Sequence, residues 1–360
     1  MSGDREDILD NYQEIRKIDV QGMLEIVEDF PNQCIQAVEI AKGTDFSGVS
    51  GPFSCLLVQG VGGSGVSGDL VKALVEEALE VPFLVNKRYG TPGFVGESTL
   101  VFAVSYSGNT EETLIPLRDI LFRGAELICL TSGGQLADFA RQNGKVLIEL
   151  PGGLQPRAAI GYLFLPLLLS LSELGIFKIE EADLEESLEV LSDMAEELAF
   201  RTPARDNQAK KLAALLWGKL PIAYGSEGIS GAAALRWKCQ FNENSKIPSF
   251  WNSFPELNHN ETVGWELLKD ITRRFALVLL QDKKGRVRNA QRMEITKELV
   301  KKQFGLVTAV KARGESPLAQ LLSLIYLGDV TSVYLAILNE VDPTPVERIR
   351  ALKENLARLG

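Results

Sequence analysis

Apolar residues along the chain fall into two patterns, short continuous runs and longer stretches with three- and four-residue spacing. The first half contains five short runs, at residues 55–59, 83–85, 100–104, 126–130 and 146–150. Runs of this length are typical of strands buried on both faces of a parallel sheet. Helical stretches begin near Asp69 and Glu111, after the first and third runs. The alternation predicts a doubly wound α/β domain, preceded by two amphipathic helices in the first 45 residues.

The second half repeats this plan. Apolar runs recur at residues 220–224, 275–280 and 306–310, and a glycine- and serine-rich loop at 225–231 precedes a helix predicted at 232–241. Gly65-Val-Ser-Gly68 in the first half corresponds to Gly228-Ile-Ser-Gly231 in the second. We therefore predict two parallel-sheet subdomains, residues 1–190 with the N-terminal helices and 191–360 with the C-terminal helices. The C-terminal helices are expected at residues 318–327 and 330–338, followed by one starting near Pro345.

Composition narrows the functional classes. The chain has 360 residues, 45% of them hydrophobic, and a net charge of −10. Such a charge argues against a general affinity for nucleic acid or an anionic membrane. The longest apolar run, 162–169, is too short to span a bilayer. The charged N-terminal segment has no apolar core, and the four cysteines form no C-x-x-C pair, so we expect a cytoplasmic protein with reduced thiols.

A hydroxyl-rich segment follows the strand predicted at residues 100–104. Ser105, Ser107 and Thr110 lie just before a helix, where free backbone N–H groups and the helix dipole favour an anion such as phosphate. Gly108 allows the backbone to turn tightly against a ligand. The alternative is a simple capped helix, but the segment has more hydroxyls than one cap needs.

Two glycine-containing loops are further candidates. Gly63 and Ser64 lie in the loop at residues 62–68, which has neither a Walker lysine nor the acidic residue of a dinucleotide site, and which we interpret as a sugar-contacting loop. A plain strand-to-helix turn is the alternative. Arg157 ends the loop Pro151-Gly-Gly-Leu-Gln-Pro-Arg157. Its guanidinium either stabilises a developing oxyanion or is simply exposed.

One acid and one imidazole complete the candidate chemistry. Glu243 is at the end of a predicted helix, where a carboxylate opposes the dipole, so a functional reason is favoured over a solvated helix end. His259, the only histidine, lies between Asn258 and Asn260 near aromatic residues. It is either structural or exposed, or it acts with Glu243 in general acid–base catalysis. A single histidine excludes two-histidine metal sites within the chain.

The order of these segments resembles the bifunctional phosphoglucose/phosphomannose isomerases, which are built from two sugar isomerase (SIS) domains. The likeness runs from about Gly60 to the C-terminal helix. The hydroxyl motif alone marks the SIS class, whereas Asn242-Glu-Asn244 and Asn258-His-Asn-Glu261 are more specific to the isomerases.

The resemblance implies a role for each matching position. Ser105, Ser107 and Thr110 would hold the sugar phosphate, and Gly63 and Ser64 would contact the substrate. Arg157 would stabilise an enediolate, Glu243 would move a proton between C1 and C2, and His259 would assist ring opening from a partner subunit. Lys353 is the candidate for a C-terminal catalytic lysine, and Thr344 would border the site.

We therefore expect an enzyme that interconverts glucose 6-phosphate and mannose 6-phosphate with fructose 6-phosphate. The chemistry needs no redox cofactor, and no metal-ligand cluster is recognisable in the sequence. The expected partners are a hexose 6-phosphate and a second copy of the chain in a homodimer, with neither nucleic acid nor membrane. The alternatives are a non-catalytic SIS-type sugar-phosphate sensor and another SIS-domain isomerase, such as one acting on an amino sugar.

Overall fold

Two parallel sheets form the framework of the protein, as the sequence predicts. The structure is a computed structural model that describes residues 7–283 and 285–359. Residues 1–6 lie outside the described residues. They are the start of the charged N-terminal segment that the sequence analysis found to have no apolar core. The first sheet has the order β2-β1-β3-β4-β5. Its strands are β1 (Cys55–Gln59), β2 (Phe83–Asn86), β3 (Thr99–Val104), β4 (Glu126–Thr131) and β5 (Val146–Glu149).

The second sheet has the order β7-β6-β8-β9 and repeats the arrangement of the first four strands. Its strands are β6 (Leu220–Ser226), β7 (Phe250–Phe254), β8 (Phe275–Gln281) and β9 (Leu306–Lys311). The sequence analysis missed β7. This edge strand has only one fully buried residue, Phe254, so it lacks the continuous apolar run that marks the other strands.

Helices cover the sheets and fill the space between them. The N-terminal helices are α1 (Tyr12–Ile18), α2 (Met23–Glu28) and α3 (Phe30–Lys42). Those of the first half are α4 (Gly62–Val75), α5 (Glu111–Leu114), α6 (Leu117–Phe122), α7 (Gly134–Gln142) and α8 (Ile160–Glu173). The others are α9 (Glu181–Leu198), α10 (Gln208–Leu216), α11 (Ile229–Glu243), α12 (Glu261–Gly264), α13 (Lys269–Thr272), α14 (Val287–Val300), α15 (Pro317–Leu338) and α16 (Glu347–Ala357). Short 3-10 turns span Asp7–Asp10, Pro156–Ala158 and Glu256–His259.

Helix α4 begins seven residues earlier than the sequence analysis predicted. The predicted loop at residues 62–68 is instead the first two turns of the helix. Its glycines allow close packing that a side chain would prevent. A Cβ atom on Gly65 would lie 2.6 Å from the carbonyl oxygen of Gly60, and one on Gly68 would lie 2.8 Å from Val58. Glycine here reflects contact between helix and strand rather than an open loop.

Helix α15 is one helix of 22 residues, where the sequence analysis predicted two. The predicted break at Gly328 and Asp329 is absent because both residues contact buried side chains of helix α11. Gly328 packs against the Trp237 indole, and the Asp329 carboxylate is paired with Arg236. By length and mean hydropathy α15 could cross a membrane, but its apolar window is entirely buried within the protein. It packs against α9, α10 and α11 and forms the centre of the largest hydrophobic core.

The core between the two sheets is continuous across the two halves of the chain. Helix α4 packs against α11, and α8 packs against both α3 and α4. Tyr162 and Phe164 of α8 are buried in this core. The predicted subdomain boundary at residues 190 and 191 lies inside α9, and its position stays a prediction.

We expect Gly328→Ala to destabilise the protein. The new Cβ would lie 2.2 Å from Nε1 of Trp237, a fully buried side chain that is held by donation to the Leu324 carbonyl. Alanine gains about 1 kcal/mol in helix propensity, but overpacking of this severity costs at least about 2 kcal/mol. Urea unfolding would measure the change. Gly48→Ala is the control, since its Cβ meets nothing within 4 Å. An unchanged unfolding midpoint for Gly328→Ala would contradict this packing.

Candidate functional site

The hydroxyl loop lies at the carboxyl edge of the first sheet, between β3 and α5. Ser105 is buried, and its hydroxyl donates to Oγ1 of Thr110 at 3.0 Å. Ser107 is exposed, and its Oγ accepts the backbone N–H of Asn109 at 3.4 Å. Gly108 has a φ of 67°, and a Cβ there would overlap the carbonyl oxygen of Gly133. Thr110 is the N-cap residue of α5, so the loop combines a helix start with three hydroxyls, as predicted.

Ser64 and Gly63 connect this loop to the segment that carries Arg157. Ser64 Oγ, at the start of α4, accepts the backbone N–H of Tyr106 at 3.2 Å. A Cβ on Gly63 would lie 2.9 Å from the carbonyl oxygen of Pro156. The glycine segment thus touches the hydroxyl loop on one side and the Arg157 segment on the other.

Tyr106 is a structural member of the site that the sequence analysis missed. Its phenol donates to the carbonyl of Pro151 at 2.7 Å and accepts the N–H of Leu154 at 3.2 Å. Both partners lie in the loop that leads to Arg157. Its position between Ser105 and Ser107 indicated that it lies in the hydroxyl loop. Its partners could not be predicted, because they are 45 and 48 residues away in the sequence.

Arg157 is the most constrained side chain of the site, with 3% of its surface exposed. It lies in the 3-10 turn Pro156–Ala158. Nε donates to Oδ1 of Asn244 at 2.6 Å, and Nη2 donates to the carbonyl oxygens of Pro343 and Thr344, both at 2.8 Å. These bonds rule out the alternative of an exposed arginine.

Glu243 faces this guanidinium. It is the last residue of α11, as predicted, and its Oε2 lies 3.8 Å from Nη1 of Arg157. The Glu243 side chain is 30% exposed, so the carboxylate can reach a ligand while one side faces the arginine. Burial lowers the pKa of Arg157, and the charge of Glu243 opposes that shift. The pair has a base and a fixed cation within reach of one small molecule.

Asn244 is a second residue whose role the sequence analysis missed. Its Oδ1 accepts from Arg157, and its Nδ2 donates to Oγ of Ser332 at 2.9 Å. It therefore links the guanidinium to the buried helix α15. The Asn-Glu-Asn motif contains this residue, but the pairing with Arg157 spans 87 positions and is not visible from spacing.

Thr344 lies beside Arg157 in the segment before α16. It is buried, its carbonyl accepts from Arg157, and its N–H donates to Oδ1 of Asp342 at 2.9 Å. Its hydroxyl has no partner among the residues that the structure describes. Two adjoining cavities open here. One of about 570 Å³ is lined by Glu243 and the start of α16, and one of about 260 Å³ is lined by Thr344, Gln155 and Arg350.

His259 does not lie near Glu243 of the same chain. Helix α11 starts after the carboxyl end of β6 and runs back along the sheet, so Glu243 is at the amino edge of β7. His259 follows the carboxyl end of β7 and is exposed. Five strand residues cover about 16 Å. The structure therefore places the acid and the imidazole at opposite edges of the second sheet.

Lys353 is exposed on α16, which has no buried residue. It lines neither cavity. Arg348 and Arg350, nearer the start of the helix, are the basic residues of α16 that do so. Within one chain, contacts connect the hydroxyl loop through Ser64 and Gly63 to the Arg157 segment, and Arg157 contacts Glu243 and Thr344. His259 and Lys353 line neither cavity.

Comparison with known proteins shows which family the chain resembles over most of its length. The family model for the bacterial phospho-glucose isomerase C-terminal SIS domain matches residues 205–356. A bifunctional phosphoglucose/phosphomannose isomerase of Caldicellulosiruptor bescii is 44% identical over 337 residues, covering 94% of this chain and 99% of the relative. The protein of the same name from Aquifex aeolicus is 35% identical over 94% of this chain and 99% of its own length.

This chain belongs to the bifunctional phosphoglucose/phosphomannose isomerase family. It is thus an enzyme of the isomerase class. A solved structure with the same fold, a glucose-6-phosphate isomerase-like protein from Thermus thermophilus, covers 93% of this chain and 97% of its own with a TM-score of 0.59. Its identity of 21% supports the two-SIS-domain fold alone.

In this isomerase we expect Arg157→Lys to cost about 2–4 kcal/mol of folding stability. The bonds of Arg157 leave from two nitrogens, Nε to Asn244 and Nη2 to the two carbonyls, and the single nitrogen of a lysine cannot occupy both positions. Urea unfolding would measure the loss. Arg205→Lys, at an arginine whose side chain is 85% exposed, is the matched control and should leave the midpoint unchanged. Equal midpoints for both variants would contradict the bonding of Arg157.

Proposed function

We propose that this isomerase interconverts glucose 6-phosphate and mannose 6-phosphate with fructose 6-phosphate through an enediolate. The observation that carries the proposal is the pairing of Glu243 with Arg157 at 3.8 Å, beside the glycine and hydroxyl loops of the first sheet. The full-length similarity to relatives named for both reactions supports it. The carboxyl edge of a parallel sheet, at the point where strand order reverses, is where ligands bind in such folds.

Each group has a defined step in the reaction. In the open-chain aldose, the Glu243 carboxylate takes the proton from C2, and the electron pair moves to C1–C2 while charge develops on O1. Arg157 stabilises that charge. The hydroxyl proton then moves from O2 to O1, the O2 electron pair forms the C2 carbonyl, and Glu243 returns its proton to C1 to give the ketose. Ser105, Ser107 and Thr110 hold the phosphate, while Gly63 and Ser64 contact the sugar. The planar enediolate has no configuration at C2, so one base can serve both the glucose and mannose epimers.

Burial strengthens the electrostatic part of this mechanism. The Arg157 guanidinium is held by Asn244 and by the carbonyl oxygens of Pro343 and Thr344, so it is fixed before substrate binds. A fixed cation in a site of low dielectric stabilises an oxyanion without reorganisation at the moment of reaction. Thr344, whose buried hydroxyl is unpartnered among the described residues, borders the site through its carbonyl bond to Arg157.

The proposal includes a homodimer in which His259 serves the site of the partner. His259 cannot reach Glu243 of its own chain, and the chain before and after it exposes large apolar side chains. Leu267 and Leu268 are 75% and 71% exposed, and Trp251 is 39% exposed. An exposed apolar patch of this kind marks an interaction surface. A second copy would cover these side chains and bring His259 to the ring oxygen of the substrate for ring opening. Lys353 on the exposed helix α16 remains the candidate for the C-terminal catalytic lysine.

The remaining parts of the proposal follow from the reaction. Proton transfer at carbon needs no redox cofactor, and a small phosphorylated sugar is the expected partner rather than nucleic acid or a membrane. A cytoplasmic location fits a substrate of this kind. A non-catalytic SIS-type sensor and another SIS-domain isomerase remain as outcomes that the assay below would distinguish, but no feature of the site favours either.

We expect Glu243→Gln to reduce turnover by at least about 10³-fold while fructose 6-phosphate still binds, because the amide cannot take a proton but keeps the shape of the carboxylate. Coupled assays with glucose 6-phosphate and mannose 6-phosphate, with calorimetry for binding, would measure both. Glu347→Gln, on the same cavity, is the control. Wild-type binding without turnover would indicate a sensor, and full activity of Glu243→Gln would remove Glu243 as the base.

Mixing two inactive variants tests the shared site. If His259 acts in the partner, a dimer of one Glu243→Gln chain and one His259→Ala chain has one site with both groups intact. We expect coexpression of the two chains to restore up to about half of wild-type activity per heterodimer, since one of two sites is complete. Each variant alone is the control. A mixture no more active than its parents would show that both groups come from one chain.

A further inference from the structure

Lys246 joins two parts of the site that are far apart in sequence. It follows Glu243 by three residues, and its ammonium donates to the carbonyl oxygen of Pro343 at 2.8 Å and to that of Pro345 at 2.6 Å. A third bond reaches the carbonyl oxygen of Glu243 itself. One ammonium therefore uses its three N–H donors on three backbone carbonyls, two of them 97 and 99 residues away.

A helix cap accounts for only one of these bonds. Lysine near the end of a helix commonly satisfies a terminal carbonyl, and the bond to Glu243 has this form. The bonds to Pro343 and Pro345 satisfy nothing in α11, because they lead to the segment before α16. That segment is also held by Arg157, whose Nη2 donates to Pro343 and Thr344. The carbonyl of Pro343 thus accepts from both Arg157 and Lys246, that of Thr344 accepts from Arg157, and that of Pro345 accepts from Lys246.

The arrangement has two costs that a surface lysine would avoid. The backbone of Lys246 is left-handed, with a φ of 58°, a conformation that non-glycine residues seldom adopt. Burial of its ammonium and the neighbouring Arg157 cation lower the pKa of Lys246 to about 8. Glu243 and Asp342 act in the opposite direction. The amine still carries its proton at neutral pH, when all three donors are available.

We propose that Lys246 is a positioning residue that ties residues 343–345 to the end of α11 and so sets the width of the cleft between Glu243 and Pro345. The inference rests on the proposed isomerase function, since the cleft it sets is the site of the proton transfer. Lys246 lines the cavity of about 570 Å³ together with Glu243 and Pro345. It acts through backbone carbonyls and through the groups attached to them, not on the reacting carbon.

Loss of this tie should affect catalysis more than substrate affinity. The phosphate loop at Ser105–Thr110 belongs to the first sheet and has no bond to Lys246, so the phosphate remains held. The relative positions of Glu243, Arg157 and Thr344 would become less fixed. Misplacement of reacting groups by about 1 Å can cost about 10²-fold in rate. A role in folding alone would lower the melting temperature and leave kcat of the folded enzyme intact.

The test compares three variants with the wild-type isomerase in steady-state kinetics and in amide hydrogen exchange of residues 341–346. We expect Lys246→Gln to lower kcat about 10–100-fold with KM changed less than about threefold, and to raise exchange in the segment. Lys246→Arg keeps a cation with several donors and should restore most of kcat. Lys219→Gln is the matched control, because Lys219 also donates to a carbonyl, that of Leu215, outside the site.

The outcomes separate this proposal from the function on which it rests. An active wild-type enzyme whose kcat is unchanged by Lys246→Gln would overturn the role of Lys246 and leave the isomerase function standing. A wild-type protein inactive on both hexose phosphates would remove the isomerase function. In that case unchanged exchange in Lys246→Gln would also overturn the tie, whereas faster exchange would establish it as structural and overturn its role in catalysis.

Discussion

The buried guanidinium of Arg157 is the constraint on which the site depends. A charge out of water is costly unless hydrogen bonds compensate it. Here the compensating groups come from two separate segments, namely the end of α11 with Asn244 directly after it and residues 343–344, while Arg157 itself lies in a third. The guanidinium can therefore be satisfied only when the first sheet, the second sheet and the C-terminal segment are all in place. The site is therefore complete only in the folded arrangement of both halves of the chain.

A second buried pair supports the first from within the core. Arg236 of α11 is paired with Asp329 of α15, and its Nη2 also donates to the backbone carbonyl of Arg157 at 2.9 Å. Trp237, Gln240 and Phe241, which follow Arg236 along α11, lie buried in the same region. The backbone of Arg157 is thus fixed by one arginine while its side chain is fixed by the neighbours of Glu243. Rigid support of this kind is what holds a base and a cation at constant separation.

The sequence predicted the elements better than their contacts. Eight strands were located within two residues because continuous apolar runs are a local signal, whereas β7, half-exposed at a sheet edge, has none. The glycines at residues 62–68 were interpreted as a loop, whereas in the structure they allow helix α4 to pack closely against a strand. Ser64, Arg157 and Glu243 were predicted as candidates from local chemistry and from resemblance. Tyr106, Asn244 and Lys246 were not, because their roles come from partners 42 to 99 residues away.

The separation of Glu243 from His259 is consistent with the order of the proposed reaction. Ring opening moves protons on oxygen, whereas isomerisation moves a proton between two carbons, and the two steps need not share one group. The second step needs the closer tolerance, because an oxyanion must form beside a fixed cation while the base keeps its proton. The fold holds Glu243 and Arg157 in a fixed relative position because the groups that bind Arg157 all belong to one chain. In the proposed reaction the less demanding step would fall to His259, an exposed imidazole at the far edge of the second sheet.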